Sequence, residues 1–384
     1  MKYKIWYEEN KQLKTIVVND KNNFPKNIIK IKELQPFKIP ILFKNNREII
    51  ELFYEFSLML EAKLPLKETI ELLLQTTHKN RINQILLSMK QALIEGKPLY
   101  IILEQYKSYI GALPIVFFKL GEQNSNIENS IQALYKLLNE FQYIKQEILK
   151  TLKYPFILLI SLFASINIIF TFVLPRFSYI FTQFGDNLPK STKILLDIKY
   201  CFDHYGLFFI LLLGFIIIFL YKLYKMYKYN FDKFILMKIP YFSNMYRYIV
   251  LYKIFLSLHL IVKSKFQFQN ALKNILFISD NLYIKKSIEN IINNISKGIS
   301  ISESFKEVNI FDNTTIKLLF TAEKTNKMEQ ILDDITQLYK KRLTTNIKNF
   351  TTILEPLLIF IIASIILWLV LAIMTPIWQL SQVL

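Results

Sequence analysis

The chain has few of the residues that build chemical centres. It contains one cysteine, seven glycines and three histidines in 384 residues. The single cysteine excludes an intramolecular disulfide framework and a thiol-rich metal site, and the scattered histidines lack the spacing of metal ligands. No two glycines are closer than eight residues, whereas a loop that cradles phosphate needs clustered glycines. We therefore predict no nucleotide-binding loop, no metal, no other cofactor and no enzymatic activity.

Acidic residues are also few beside the basic ones. There are 30 of Asp and Glu against 48 of Lys and Arg, a formal net charge of +18. A nucleic-acid surface would cluster the basic side chains on one face and interleave aromatic residues. Here they are spread along the chain and concentrate beside apolar runs. This pattern favours contact with anionic membrane lipid and no direct binding of nucleic acid.

Long apolar runs are present, although charged residues are common elsewhere. A spanning helix needs about 20 apolar residues. The runs at 156–174 and 357–375 carry no charge, and a third run lies at 205–223. Lysines and arginines flank these runs on the side of the two long polar segments, so the positive-inside rule places both segments in the cytoplasm. The expectation is a bacterial inner-membrane protein with a cytoplasmic N-terminus and a periplasmic C-terminus.

The sequence also repeats itself. The clearest matches pair residues 201 positions apart, Gly121-Glu122 with Ala322-Glu323 and Tyr154-Pro155 with Glu355-Pro356. Upstream the separation is 202, as between Gly96 and Gly298. This period is far longer than the roughly 20–50 residues of a solenoid repeat. It indicates a duplicated domain in which each copy has its own membrane anchor.

Helical periodicity predominates in both copies. In the first, Ile49, Phe53, Phe56 and Leu60 recur at the spacing of one helix face. We predict an all-α integral membrane protein with three transmembrane helices and two homologous cytoplasmic helical-bundle domains. The expected boundaries are an N-terminal segment with a possible small hairpin (1–45), the first domain (46–153), transmembrane helix 1 (154–175), a short periplasmic loop (176–204), transmembrane helix 2 (205–223), the second domain (224–354), transmembrane helix 3 (355–376) and a periplasmic tail (377–384).

These motifs resemble the inner-membrane platform-protein family of type II secretion, type IV pilus assembly and DNA-uptake pseudopilus systems. The family carries a Gly-Glu-x-(Ser/Thr)-Gly-x-Leu turn in each domain, Tyr-Pro before the first span and Leu-Glu-Pro before the last. The matching residues here are Gly121 to Ile127, Ala322 to Met328, Tyr154-Pro155 and Leu354-Glu355-Pro356. The chain departs from the family where glycine is replaced, by Ser125, Asn326, Ala322, Lys63 and Lys265.

The resemblance implies a non-enzymatic platform for a type IV pilus or a type II secretion pseudopilus. Such a platform would couple a cytoplasmic assembly ATPase to the insertion of pilin-like subunits. It would form homo-oligomers and contact other inner-membrane assembly proteins. The platform of a DNA-uptake (competence) pseudopilus is an alternative. A membrane transporter is a further one, although the outer two spans carry no charged residue near the midplane.

Two interpretations stay open for the residues that stand out. Glu122 and Glu323 could contact a partner or a cation, or could satisfy free backbone N–H groups at a helix N-terminus. Glu355 could anchor a partner helix, or could be an interfacial carboxylate paired with Lys348 or a neighbouring subunit. Asn167 could form hydrogen bonds within the protein or its homodimer, or with a pilin-like transmembrane helix.

Overall fold

The computed structural model describes residues 2–9, 12–18, 28–34, 47–76, 80–177, 181, 188–237, 242–278 and 281–381. The chain divides into two compact units, Met1–Glu48 and Ile49–Leu384. His78 and the tail beyond residue 381 lie outside the described residues.

The first unit contains a small antiparallel sheet. Its strands are β1 (Lys2–Glu9), β2 (Gln12–Val18) and β3 (Ile28–Leu34), in the order β2-β1-β3. Ile5 pairs with Ile16 on one side and with Ile31 on the other. The sequence suggested only a hairpin here. A third strand is added because Ile29 and Ile31 alternate with lysines, the period typical of a strand.

The first repeat is a bundle of short helices. They are α1 (Arg47–Glu61), α2 (Leu66–Gln75), α3 (Asn80–Ile94), α4 (Leu99–Gln105), α5 (Lys107–Ile110) and α6 (Leu113–Gln123). The predicted stripe on α1 is buried, including Phe53 and Phe56. Gly96 ends the α3 segment with a φ of +67°, and Pro98 precedes α4.

Long helices follow. These are α7 (Ile127–Ile168), which continues through a π-helical turn (Ile169–Val173) and a 3-10 turn (Leu174–Phe177), then α8 (Lys190–Met226) and the short α9 (Lys228–Met237). The predicted middle span, 205–223, lies inside α8, and many of its side chains are outside the described set. That span therefore stays a prediction.

The second repeat matches the first in helix order, except that no described helix in it corresponds to the short α5. It consists of α10 (Phe242–Lys263), α11 (Phe268–Asn274), a 3-10 turn (Ile275–Phe277), α12 (Leu282–Ser296), α13 (Ile301–Lys306), α14 (Asn313–Thr325) and α15 (Met328–Ser381). Thus α10 corresponds to α1, and α15 corresponds to α7. From α1 onward, every regular element that the structure describes is helical, as the predicted fold class requires.

The soluble domains and their spans share continuous helices. The predicted boundaries at 153/154 and 354/355 fall inside α7 and α15, with Pro155 and Pro356 in the helix interiors. A proline removes one backbone hydrogen bond but leaves the remaining ladder to carry the helix across. Each repeat is therefore joined to the membrane by a helix rather than by a linker.

Three described helices are long and apolar enough to cross a membrane, in the segments Ile127–Phe177, Ser243–Lys263 and Met328–Pro376. The outer two contain the predicted first and last spans. Most of the apolar window in Ser243–Lys263, 61%, is buried, against 11% and 22% in the other two. This segment is α10, whose Phe255 and Leu258 lie in the core of the second repeat. We therefore assign α10 to the soluble domain.

A second, small core joins the membrane helices at one end. Phe170 and Leu174, at the end of the first span, are buried with Leu195 of α8 and Leu369 of α15. The hydroxyl of Thr192, fully buried, donates to the carbonyl oxygen of Ala372 at 2.5 Å. Hydrogen bonds of this kind and close approach at small residues are the usual means of packing helices in lipid.

Candidate functional site

Left-handed turns recur at equivalent places in the two repeats. Among the described residues, the non-glycine residues with positive φ are Lys63 (+65°), Ser125 (+51°), Lys265 (+69°) and Asn326 (+58°). Lys63 and Lys265 follow the ends of α1 and α10 by two residues, whereas Ser125 and Asn326 precede α7 and α15. In the platform-protein family that the motifs resemble, glycine stands at these positions. The left-handed conformation explains why glycine suits these positions, because a Cβ is unfavourable in that region.

Glu122 lies near the end of α6 and reaches back to the start of α4. Its Oε1 accepts a hydrogen bond from the N–H of Leu99 at 2.6 Å, and its Oε2 accepts one from the N–H of Tyr100 at 3.4 Å. Neither Pro98 nor the preceding residues cap α4 with a side chain. The carboxylate therefore supplies the acceptor that this helix N-terminus lacks, and its negative charge complements the helix dipole.

Glu323 repeats this arrangement on α14. It accepts hydrogen bonds from the N–H of Ile301, from the N–H of Ser302 at 3.1 Å and from the hydroxyl of Ser302 at 2.6 Å. Both glutamates thus satisfy free N–H groups at a helix N-terminus. That helix is not the one that carries the glutamate but an earlier helix of the same repeat, α4 for Glu122 and α13 for Glu323. Sequence reasoning identified the pair and could not say which helix each would reach.

The two repeats differ beside these glutamates. A Cβ added to Gly121 would lie 2.9 Å from the Cα of Ile127 and 3.1 Å from the Cβ of Ser130. The glycine therefore lets α6 approach the start of α7 closely. Ala322 stands at the equivalent position and is buried, with 1% of its surface exposed. The second repeat therefore accommodates the Cβ of Ala322 where α14 meets the start of α15.

The repeats contact each other through a half-buried polar network that the sequence did not indicate. Glu140 of α7 accepts a hydrogen bond from the hydroxyl of Tyr252 on α10 at 2.8 Å. The ammonium group of Lys340 on α15 lies 3.0 and 3.1 Å from the two carboxylate oxygens of Glu140. Burial, and next the hydrogen bond to Glu140, raise the pKa of Tyr252. This network ties the two helices that continue into the membrane.

A second network stabilises the start of α14. Asp312 accepts hydrogen bonds from the N–H of Thr315 at 3.0 Å and from the hydroxyl of Tyr339 at 3.3 Å, and it pairs with Arg342. Burial opposes ionisation of Asp312, but the hydrogen bonds from Thr315 and Arg342 outweigh it and hold the pKa of Asp312 below its usual value. The network links α14 to the membrane helix α15.

The membrane-proximal residues lie on the helix surface. Tyr154 is 46% exposed, while Pro155 is buried. Glu355 and Pro356 are exposed, and within the described part of the chain Glu355 makes no ion pair with Lys348. The side-chain amide of Asn167 is half-buried and donates to the carbonyl oxygen of Phe163 at 2.9 Å, in its own helix. The contact does not use its amide oxygen.

No cluster of three or more His, Cys, Asp or Glu side chains suited to a metal ion occurs within the described residues. Cys201 is free and exposed on α8. The arrangement instead consists of paired turns, helix caps and contacts between repeats, all of which position long helices relative to one another.

Comparison with known proteins gives the same duplication. The family model described as "Type II secretion system (T2SS), protein F" matches residues 52–175 and again 255–376. Over 332 residues the chain is 22% identical to the type IV pilus assembly protein PilC of Pseudomonas aeruginosa, covering 86% of this chain and 88% of that protein.

Relatives from other systems show similar coverage. The type II secretion system protein F of Aeromonas hydrophila is 21% identical over 355 residues, covering 89% of each chain. The protein transport protein HofC homolog of Haemophilus influenzae is 22% identical over 351 residues, covering 88% of this chain and 86% of that protein. The resemblance read from the motifs is confirmed: this multi-pass inner-membrane protein belongs to the type II secretion system protein F family, which includes type IV pilus assembly proteins.

Proposed function

We propose that the chain is a non-enzymatic platform that couples a cytoplasmic assembly ATPase to the insertion of pilin-like subunits into a type IV pilus or type II secretion pseudopilus. One observation carries this proposal most directly. The first repeat exposes large apolar side chains on its soluble surface, namely Leu72 (40%), Leu87 (56%), Ile94 (63%) and Ile101 (46%). Leu87 and Ile94 are two turns apart on α3 and so share one face.

The second repeat has polar residues at all four equivalent positions, Asn274, Glu289, Ser296 and Glu303. Because both repeats contain the helices that carry these positions, the fold itself does not require apolar residues there. Single exposed leucines are common on protein surfaces, but a set that is replaced in the duplicate copy marks a contact surface. We assign the face of α3 that carries Leu87 and Ile94 to the ATPase.

The test exchanges the first repeat's residues for those of the second. The variant Leu87→Glu/Ile94→Ser is expected to lose co-purification of the ATPase from mild-detergent membranes while keeping the wild-type unfolding temperature. Lys317→Asn, at an exposed position of α14 in the second repeat, serves as the control and should keep the partner. Retention of the ATPase by the double variant would contradict the assignment.

Two polar residues of the spans, Asn167 and Glu355, are proposed as contacts for pilin-like transmembrane helices. Asn167 has an unused amide oxygen, and Glu355 is an exposed carboxylate at the start of the last span. Polar groups in lipid gain by pairing with a partner helix. Site-specific photocrosslinkers at these positions should capture pilin-like subunits. Crosslinks only to a second copy of this chain would instead assign both residues to the homo-oligomer.

The proposed orientation can be tested with the native cysteine. Cys201 is exposed on the part of α8 that precedes the middle span, and the basic flanks favour a periplasmic position for this part. A membrane-impermeant maleimide should label Cys201 in intact spheroplasts, and Cys201→Ser should abolish the label. Labelling only after lysis would reverse the proposed topology.

The companion proteins recovered with the chain distinguish the systems. A secretin with secretion cargo, a retraction ATPase or a DNA-translocation channel would indicate type II secretion, a type IV pilus or competence, respectively. Recovery of no assembly protein at all, with a crosslinker present, would favour the transporter alternative.

A further inference from the structure

A polar cleft lies between the two repeats. It has a volume of about 550 Å³ and is lined by α7 of the first repeat and by α10 and α15 of the second. Three lysines from these different elements line it: Lys136 on α7, Lys263 at the end of α10 and Lys327 just before α15. Lys136 and Lys263 also line a smaller neighbouring cavity of about 190 Å³.

The positive and negative groups of the cleft are not matched. Of its two carboxylates, Glu329 lies 3.6 Å from Lys265, which does not line the cleft, and Asp333 lies 3.7 Å from His259. The three cleft lysines form no ion pair with any carboxylate in the described ranges. All three lysines are exposed, so water screens part of their mutual repulsion, and an anion held between them would remove the remainder.

His259 also lines this cleft. Only 7% of its surface is exposed, and its Nδ1 lies 3.3 Å from the carbonyl oxygen of Glu329. Burial lowers its pKa, and Lys263 and Lys136 lower it further, whereas Asp333 opposes them. An anion bound to the two lysines would remove their repulsion of the imidazolium form.

The duplicated domain shows that the repeat fold does not require these lysines. In the first repeat, Glu61 stands at the position equivalent to Lys263 and Asn126 at the position equivalent to Lys327. Asn126 caps α7 by accepting from the N–H of Asn129 at 3.3 Å. A lysine has no acceptor and cannot cap α15 in this way. The second repeat has thus replaced an acid and a cap by two cations, both facing the inter-repeat cleft.

We propose that this cleft binds a small phosphate-bearing anion that bridges the two repeats. Lysine ammonium groups bind phosphate as point charges, and a site made of side chains needs no glycine-rich loop. The volume falls within the roughly 300–1,000 Å³ of small-molecule sites. A lipid headgroup is excluded as the source, because Glu329 and Pro356 are separated by about 40 Å of straight helix at ~1.5 Å per residue.

The test is isothermal titration calorimetry of the full chain in detergent at low ionic strength, with pyrophosphate as the probe. We expect one saturable site per chain. The double variant Lys263→Glu/Lys327→Asn, which carries the first repeat's residues, should weaken the affinity by at least about tenfold. Lys317→Asn, which removes an exposed lysine of α14 outside the cleft, should change it less than about twofold.

Further titrations and variants distinguish the possible phosphate-bearing ligands and test for a folding defect. ADP binding as tightly as pyrophosphate would support recognition through phosphate alone, and tighter ADP binding would support a nucleotide. Lys136→Gln, on the other repeat, should weaken binding as well, with an unchanged circular dichroism spectrum. Absence of saturable pyrophosphate binding, or equal binding by all variants, would overturn the proposal. So would saturation by a hexaglutamate peptide alone, which would indicate a protein partner.

Discussion

The ammonium group of Lys63 lies 2.7 Å from the carboxylate of Glu128, joining the turn after α1 to the first turn of α7. The second repeat repeats the pair with Lys265 and Glu329 at 3.6 Å. Both lysines are highly exposed, so each ion pair contributes only about 0–1 kcal/mol. Both repeats keep the turn, and both lysines adopt the left-handed conformation. The ion pair therefore adds little stability to a turn whose backbone conformation glycine would adopt more easily.

The left-handed turn at Lys63 can be tested by comparing two substitutions that both remove the ion pair. Lys63→Gly should be more stable than Lys63→Ala by about 1 kcal/mol, because alanine keeps the Cβ that disfavours positive φ. Thermal unfolding of the full chain in detergent measures the difference. Equal unfolding temperatures would mean that residue 63 does not hold this conformation.

The close approach at Gly121 predicts an asymmetry between the repeats. Gly121→Ala should lower the free energy of unfolding by about 1–3 kcal/mol, since the new Cβ would meet the backbone of α7. The reverse change at the matched position, Ala322→Gly, should cost only about 0.5–1 kcal/mol through backbone entropy. Unfolding midpoints of both variants provide the comparison. A Gly121→Ala protein as stable as the wild type would contradict the predicted contact.

The glutamate caps predict effects on stability rather than on chemistry. Glu122→Ala and Glu323→Ala should each destabilise the fold by about 1–3 kcal/mol, because backbone N–H groups of α4 and α13 lose their acceptors. Glutamine retains one acceptor oxygen and should be milder. For each variant, the unfolding temperature and the co-purification of the ATPase are both measured. Loss of the partner at an unchanged unfolding temperature would favour the alternative role as a partner contact.

The buried histidine predicts a pH dependence. The pKa of His259 is lowered in the folded protein, first by burial, while the unfolded chain keeps a value near 6.5. The unfolded state therefore binds the proton more readily, so this contribution to stability is complete above about pH 6.5 and is lost as the pH falls through the folded pKa. His259→Gln should flatten the unfolding temperature over that interval. Parallel curves for the two proteins would contradict this expectation.

Much of the fold follows from local pattern. The stripe that contains Phe53 and Phe56 predicted a buried helix face, and the matched prolines predicted two anchored copies. The pair Glu122 and Glu323 was visible because duplication preserved it. The Glu140–Tyr252 contact was not, because its two members lie 112 residues apart in different copies and no local periodicity connects them. The continuity of α7 and α15 across the predicted boundaries was not visible for a related reason: an apolar run marks where lipid begins, not where a helix begins.

By itself the sequence determined the class of protein, because hydrophobic length, charge flanks and an internal repeat are properties of the chain alone. The tertiary structure decided which groups meet. Only packing of the second repeat against α7 brings Lys136, Lys263 and Lys327 to one cleft and places Lys340 on Glu140. Such contacts depend on the angle and register between helices from distant segments, which the amino-acid pattern of neither segment encodes.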